Sequence, residues 1–260
     1  MNTLSFFIFV IGITLFFLLV RSLRKKKTFG PLQQLPPDYP ALLEKNVLFY
    51  QRLTDEQKLQ FNERVAHFVA DVRITGVKTT VTDLDIILTA ASAVIPTFNF
   101  KHWEYPNLNE VLIYPGTFGE AYELEGNNKN VLGMVGNGPM QHVMILSQQA
   151  LRLGFSNKTD KENTAIHEFV HLLDKADGTI DGVPEALLKH AYILPWLHLV
   201  HKNIAAIDDG KSDINVYGAT NEAEFLAVVA EYFFERPALL KDKHPELYTM
   251  MNKMFKGPTG

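Results

Sequence analysis

Two histidines and a glutamate sit close together in the segment Thr164-Ala165-Ile166-His167-Glu168-Phe169-Val170-His171-Leu172-Leu173-Asp174. His167 and His171 are four residues apart. On a helix that spacing puts both imidazoles on one face, one turn apart, where they can reach a single metal ion. Glu168 points about 100° away, near enough to hold a coordinated water without ligating the metal itself. Two neutral imidazoles plus a carboxylate suit zinc and leave a fourth position for water. The metal lowers the pKa of that water towards about 7. Glu168 then takes its proton and passes it to a leaving amine. The pattern predicts one zinc ion per chain, with hydrolysis as its chemistry. Apolar Ile166, Phe169, Val170, Leu172 and Leu173 predict a half-buried helix, the rigid support a ligand pair needs.

A third ligand must come from elsewhere. The run from Asn221 to Phe234 reads as a mostly apolar helix, ended by Pro237. Glu224 and Glu231 are seven apart on it and share a face, so either can ligate. Acidic groups in an apolar helix are costly to bury without partners. Each also has an ordinary role open to it. With Asn221 as N-cap, Glu224 is placed to close a capping box, and Glu231 can pair with a surface Lys or Arg.

These residues carry a resemblance. His167-Glu168-x-x-His171 with Leu173-Asp174, then Tyr217-Gly218-Ala219-Thr220-Asn221-Glu222-Ala223-Glu224-Phe225, then Ala230-Glu231-Tyr232-Phe233-Phe234, resemble the zinc peptidases related to Mlc titration factor A. Glu110 to Pro115 fits the same family, and the catalytic region is similar to that of anthrax lethal factor. The resemblance spans about residues 40–250. It implies Glu224 as third ligand and Tyr217 as a donor to the oxyanion, a role that suits a phenol near a metal. Glu231 becomes a candidate to accept the other N–H of a ligand histidine. Asp174 is a weaker candidate for that task, with capping of the helix end as its alternative. The resemblance also implies a peptide or protein substrate and admits a regulatory protein partner, such as a transcriptional regulator. The alternative function is a binding protein that sequesters such a partner, with weak or vestigial hydrolysis.

The elements that must position these residues follow from patterning. Thr54 and Gln57 form a capping box before a helix to about Asp71. Thr82 caps a second helix, Asp83 to Val94, stopped by Pro96. Glu110 to Tyr114 and His142 to Ser147 read as strands, with Val143 to Ser147 in the sheet near the metal helix. Residues 119–139, rich in Gly and Asn, read as a loop or loose hairpin. His67 reads as an ordinary, partly buried histidine. His190, His198 and His201 lack the carboxylate and spacing of a second metal site.

Composition sets the outer limits. Hydrophobic residues make up 47% of the 260-residue chain and charged residues 21%, which suits a globular domain with a sizeable core. A net charge of -4 gives no reason to expect a nucleic-acid partner. The absence of cysteine excludes disulfides, cysteine-ligated metals and cysteine catalysis. Met1 to Val20 carries no charged side chain, and Arg21, Arg24, Lys25, Lys26 and Lys27 follow. That pattern predicts an uncleaved transmembrane helix at 1–20, with the basic flank inside. A basic, Pro-rich linker is expected at 21–40. The expected whole is an α-rich α+β metallopeptidase domain of zincin type at 41–260, with a small β-sheet, behind one N-terminal transmembrane helix. It would be a single-pass inner-membrane protein with its catalytic domain in the cytoplasm.

Overall fold

Helix starts follow the capping chemistry written in the sequence. The computed structural model describes residues 34–100, 103–119, 131–136, 140–157 and 159–256. Its helices are α1 (Tyr39–Asn46), α2 (Leu48–Gln51), α3 (Asp55–Asp71), α4 (Asp83–Thr97), α5 (Gln148–Ser156), α6 (Thr164–Asp174), α7 (Ile193–Asp208), α8 (Glu222–Glu235), α9 (Pro237–Lys243) and α10 (Pro245–Phe255). Its strands are β1 (Arg73–Gly76), β2 (Glu110–Tyr114), β3 (Gly133–Val135) and β4 (Val143–Ser147). Thr54 and Gln57 close a complete capping box at α3. Thr82 and Asp85 do the same at α4. Pro40 sits in the first turn of α1, where its missing N–H costs nothing. The expected linker therefore gives way to helix at Tyr39.

Helix α4 differs from expectation at its end. Pro96 lies inside the last turn, which runs on to Thr97. Side chains add donors to this turn. Thr97 donates its hydroxyl to the Ala93 carbonyl at 3.0 Å, Tyr105 donates to the same carbonyl at 2.8 Å, and Arg64 donates to the Thr97 carbonyl at 2.6 Å. Every residue of α4 from Asp85 to Thr97 is buried. It is the central helix of the core, packed by α1, α3, α5 and α6.

The sheet is small and mixed, in the order β1-β2-β4-β3. β1 and β2 are parallel, as are β2 and β4. β3 runs antiparallel to β4 as an edge strand. β3 falls within the stretch read from sequence as loop or loose hairpin. It is three residues long and opens with glycine, too brief for alternation to mark it. The result is an α-rich α+β arrangement.

The single-pass inner-membrane placement is corrected. Among the described residues, no helix is long and apolar enough to cross a membrane. The apolar helix α4 has 15 residues, about 22 Å of helix against a bilayer core of about 30 Å, and protein covers it. The expected anchor at 1–20 and the basic run after it lie outside the described residues.

One buried charge ties α4 to α5. Asp85 is fully buried, while the side chain of its partner Arg152 is 43% exposed. Arg152 donates to Asp85 Oδ1 at 2.7 Å and to Oδ2 at 2.8 Å. Gln148 Nε2 donates at 2.9 Å and the Thr82 backbone N–H at 2.8 Å. Burial pushes the carboxyl pKa up, but these donors prevail and hold it below the usual range. Asp85→Asn sets an amide against the guanidinium. It is expected to cost about 3 kcal/mol, the low end for a broken buried pair because water reaches Arg152. Urea unfolding at pH 7 measures this. The gap should narrow as pH falls through the parent's depressed pKa, since protonation then removes the same charge. A cost under about 0.5 kcal/mol would contradict the role given to Asp85.

Candidate metal centre

Helix α6 forms because Asn163 caps it, accepting from the Ile166 N–H. It is buried on all sides from Ala165 to Asp174, deeper than its half-apolar pattern predicts. α8 packs closely along it, and α4, α5, β3 and β4 pack around it too. The polar residues thus face a narrow site and not open solvent.

Three side chains converge there. His167 Nε2 lies 3.1 Å from His171 Nε2 and 2.9 Å from Glu224 Oε2. His171 Nε2 lies 3.4 Å from the same oxygen. Four-coordinate zinc with ligands at about 2.0–2.1 Å puts ligand atoms about 3.3–3.4 Å apart. The three atoms are spaced close to one face of such a tetrahedron. The donor set fits a metal of zinc type: two imidazoles and one carboxylate, with a position left open. Among the described residues this is the one group of three or more His, Asp and Glu side chains with metal-ligand convergence. His198 and His201 form no such group. His201 instead meets Glu222 at the surface, at 3.2 Å.

The two carboxylates of α8 separate in role. The Glu224 backbone N–H donates to the Asn221 cap at 2.9 Å, but its carboxylate leaves the cap and turns to the histidines. Burial pushes its pKa up, yet the hydrogen bonds from His167 and His171 dominate and hold it at about 2. Glu231 reaches the far side of His167, with Oε1 2.7 Å from Nδ1. Its other oxygen accepts the backbone N–H of Asn163. One carboxylate thus holds both the ligand ring and the start of the ligand helix. Asn163 Nδ2 in turn donates to Glu235 Oε1 at 3.0 Å.

Glu168 is buried, 6% exposed. Burial raises its pKa, against the opposing pull of His167 and His171. A carboxylate so destabilised takes up a proton readily. β3 confines it. A Cβ on Gly133 would lie 2.6 Å from Glu168 Cγ and 2.7 Å from Glu168 Oε1, so only glycine lets the strand approach this closely. The sequence reading missed Gly133. Its signal was a lone glycine in a strand too short to recognise.

Tyr217 sits on a 3-10 turn, Val216–Ala219. Its ring centroid is 5.9 Å from that of His167, and the residue is 53% exposed. Partial burial and then the charges of Glu224 and Glu168 raise its pKa, so its hydroxyl stays protonated and able to donate. Asp174 is fully buried at the end of α6. Its Oδ2 accepts the Gly182 N–H at 2.8 Å. Neither its Oδ1 nor His171 Nδ1 has a hydrogen-bond partner among the described residues.

Comparison with known proteins agrees with this chemistry. A family described as glucose-regulated metallo-peptidase M90 matches residues 20–256, and that description implies a metal ion. The chain is 28% identical over 245 residues to the protein slr2042 of Synechocystis sp., covering 89% of this chain and 87% of that one. It is 30% identical over 164 residues to Mlc titration factor A of Serratia proteamaculans, 57% of this chain and 60% of that protein. It is 27% identical over 234 residues to Mlc titration factor A of Escherichia fergusonii, 84% of each chain.

Proton linkage tests the convergence. Burial lowers the His167 pKa, but Glu224 and Glu231 outweigh it and raise the value to about 10 in the metal-free protein. An ion at Nε2 must displace that proton. Metal binding at pH 7 is expected to release about one proton from this residue, so apparent affinity rises with pH by up to tenfold per unit. Calorimetric titration in buffers of different ionisation enthalpy measures the release. No release between pH 6 and 8 would contradict the site.

Proposed function

The chain belongs to the M90 family of glucose-regulated metallopeptidases, and on that premise we propose that it is a zinc-dependent peptidase whose ion is held by His167, His171 and Glu224. The observation that carries this reading is the convergence of those three donor atoms within one ligand sphere, beside a buried carboxylate that does not join them. Three carboxylates, Glu168, Glu224 and Glu231, stand against two imidazoles in a largely buried site, a balance that calls for a cation. Zinc, when bound, supplies Lewis acidity that acidifies water and polarises a carbonyl.

The protein's own groups do the rest. Glu168 takes a proton from the attacking water at a carboxylate oxygen and returns it to the leaving nitrogen. Tyr217 donates its hydroxyl to the carbonyl oxygen as negative charge develops there. Glu231 holds His167 in the tautomer with Nδ1–H, which leaves Nε2 free to ligate. The substrate is an extended peptide on the edge of β3 that no other strand among the described residues occupies. Ser147 N–H donates to the Leu132 carbonyl at 2.8 Å and Gly136 N–H to the Val143 carbonyl at 2.9 Å, so the even-numbered residues face β4. Gly133 and Val135 turn their backbone groups to the other edge, next to Glu168. The domain, on this reading, is of zincin type.

A second reading rests on the relatives. Several are named for titrating Mlc, which supports a protein partner for this chain. Capture of such a partner that survives both metal removal and loss of Glu168 would favour sequestration over catalysis.

Glu168→Gln is expected to bind one zinc per chain and lose peptide hydrolysis by at least 10³-fold. Glu224→Ala should lose both. Full metal in Glu224→Ala would move the third ligand to Glu231, and undiminished turnover in Glu168→Gln would end the mechanism. Gly133→Ala is expected to keep its metal but lower kcat about 100-fold by displacing the Glu168 carboxylate. Steady-state kinetics with metal analysis on the same samples separates these effects. An unchanged kcat in Gly133→Ala would show that β3 does not set the position of the base.

A further inference from the structure

His171 and Asp174 are three residues apart on α6, one turn along the same side of the helix. His171 is 8% exposed and Asp174 is fully buried. Among the described residues, His171 Nδ1 is a buried nitrogen with no hydrogen-bond partner, and Asp174 Oδ1 is a buried carboxylate oxygen with none. Buried polar atoms are rarely left so. One is a natural donor and the other a natural acceptor. The other Asp174 oxygen is fixed by the Gly182 N–H at 2.8 Å, so the carboxylate cannot turn away to solvent. The other carboxylates at the two rings are already engaged: Glu231 serves His167, and Glu224 faces the Nε2 side of both rings.

We propose that Asp174 is the positioning residue for His171: its Oδ1 holds the ring's Nδ1–H across one bridging water molecule, and so fixes the tautomer that presents Nε2 to the metal. This rests on the reading of His167, His171 and Glu224 as the metal site. Each ligand histidine then has its own carboxylate, Glu231 reaching across from α8 and Asp174 lying in sequence on α6. The physical reason is tautomer control. A neutral imidazole protonated at Nε2 cannot ligate through that atom. A carboxylate behind Nδ1 excludes that form and makes the ring a better donor.

Asp174→Asn tests this, because its amide oxygen still accepts from Gly182 while its NH2 now faces Nδ1. The amide donates where the carboxylate accepted, which moves the ring proton to Nε2 and blocks ligation. In the folded variant of the full chain, zinc affinity by chelator competition is expected to fall 10–100-fold. Long-range proton–nitrogen NMR of the histidine rings should show His171 changing from Nδ1–H to Nε2–H, with His167 unchanged. Affinity within twofold of the parent and an unaltered His171 tautomer would overturn the proposal. Should the variant fail to fold, the unaltered chain decides. The Nδ1–H tautomer of His171 is expected, and ligation through Nδ1, or an Nε2–H tautomer in the metal-free chain, would overturn it. The NMR experiment is also run on the metal-free chain. A parent that binds no metal would defeat the peptidase reading, while the Asp174 pairing would still be read from the same spectrum.

Discussion

A single carboxylate, that of Glu231, joins the two helices on which the site depends. It stands 2.7 Å from His167 Nδ1 and also accepts the N–H of Asn163, the cap of α6. It therefore sets where α6 begins, how α6 lies against α8 and which way the first imidazole faces. Glu224, seven residues earlier on α8, is carried by the same packing to the Nε2 atoms of both rings. The apolar residues of the two helices, among them Phe169, Val170, Phe225 and Val229, are fully buried. The hydrophobic contact supplies the stability, and the buried polar bridge supplies the register.

Much of this was legible because the chemistry is local in sequence. The four-residue spacing of His167 and His171 needs only a helix to bring the rings together, and they lie 3.1 Å apart. Caps at Thr54, Thr82 and Asn221 marked three helix starts in the same way. The spacing of Glu224 and Glu231 could not rank them, since both share a face. Only the packing distinguishes them, by placing one carboxylate at Nε2 and the other at Nδ1 of the same ring. Gly133 was illegible for a related reason. Its importance lies in the Cβ it lacks, which would stand 2.7 Å from Glu168 Oε1, a strand-to-helix contact that local pattern does not encode.

The membrane reading fared differently. It drew on twenty uncharged residues that lie outside the described structure, and the apolar helices that are described serve as protein core. Hydropathy reports that a segment avoids water, not what it is buried against. Helix α4 is an instance: it is rich in apolar residues, yet protein covers it from Asp85 to Thr97. The family match and the relatives over most of the chain join the geometry in directing attention to the cleft between α6, α8 and β3.

The central claim is that one ion sits where His167, His171 and Glu224 meet. Anomalous diffraction at the zinc edge, on crystals of the zinc-loaded full chain, tests it most directly. The account requires one peak per chain, about 2.0–2.2 Å from His167 Nε2, His171 Nε2 and a Glu224 oxygen, with Glu168 outside the ligand sphere. A peak elsewhere, ligation by Glu231 or Glu168 in place of Glu224, or no peak at full zinc loading would contradict it.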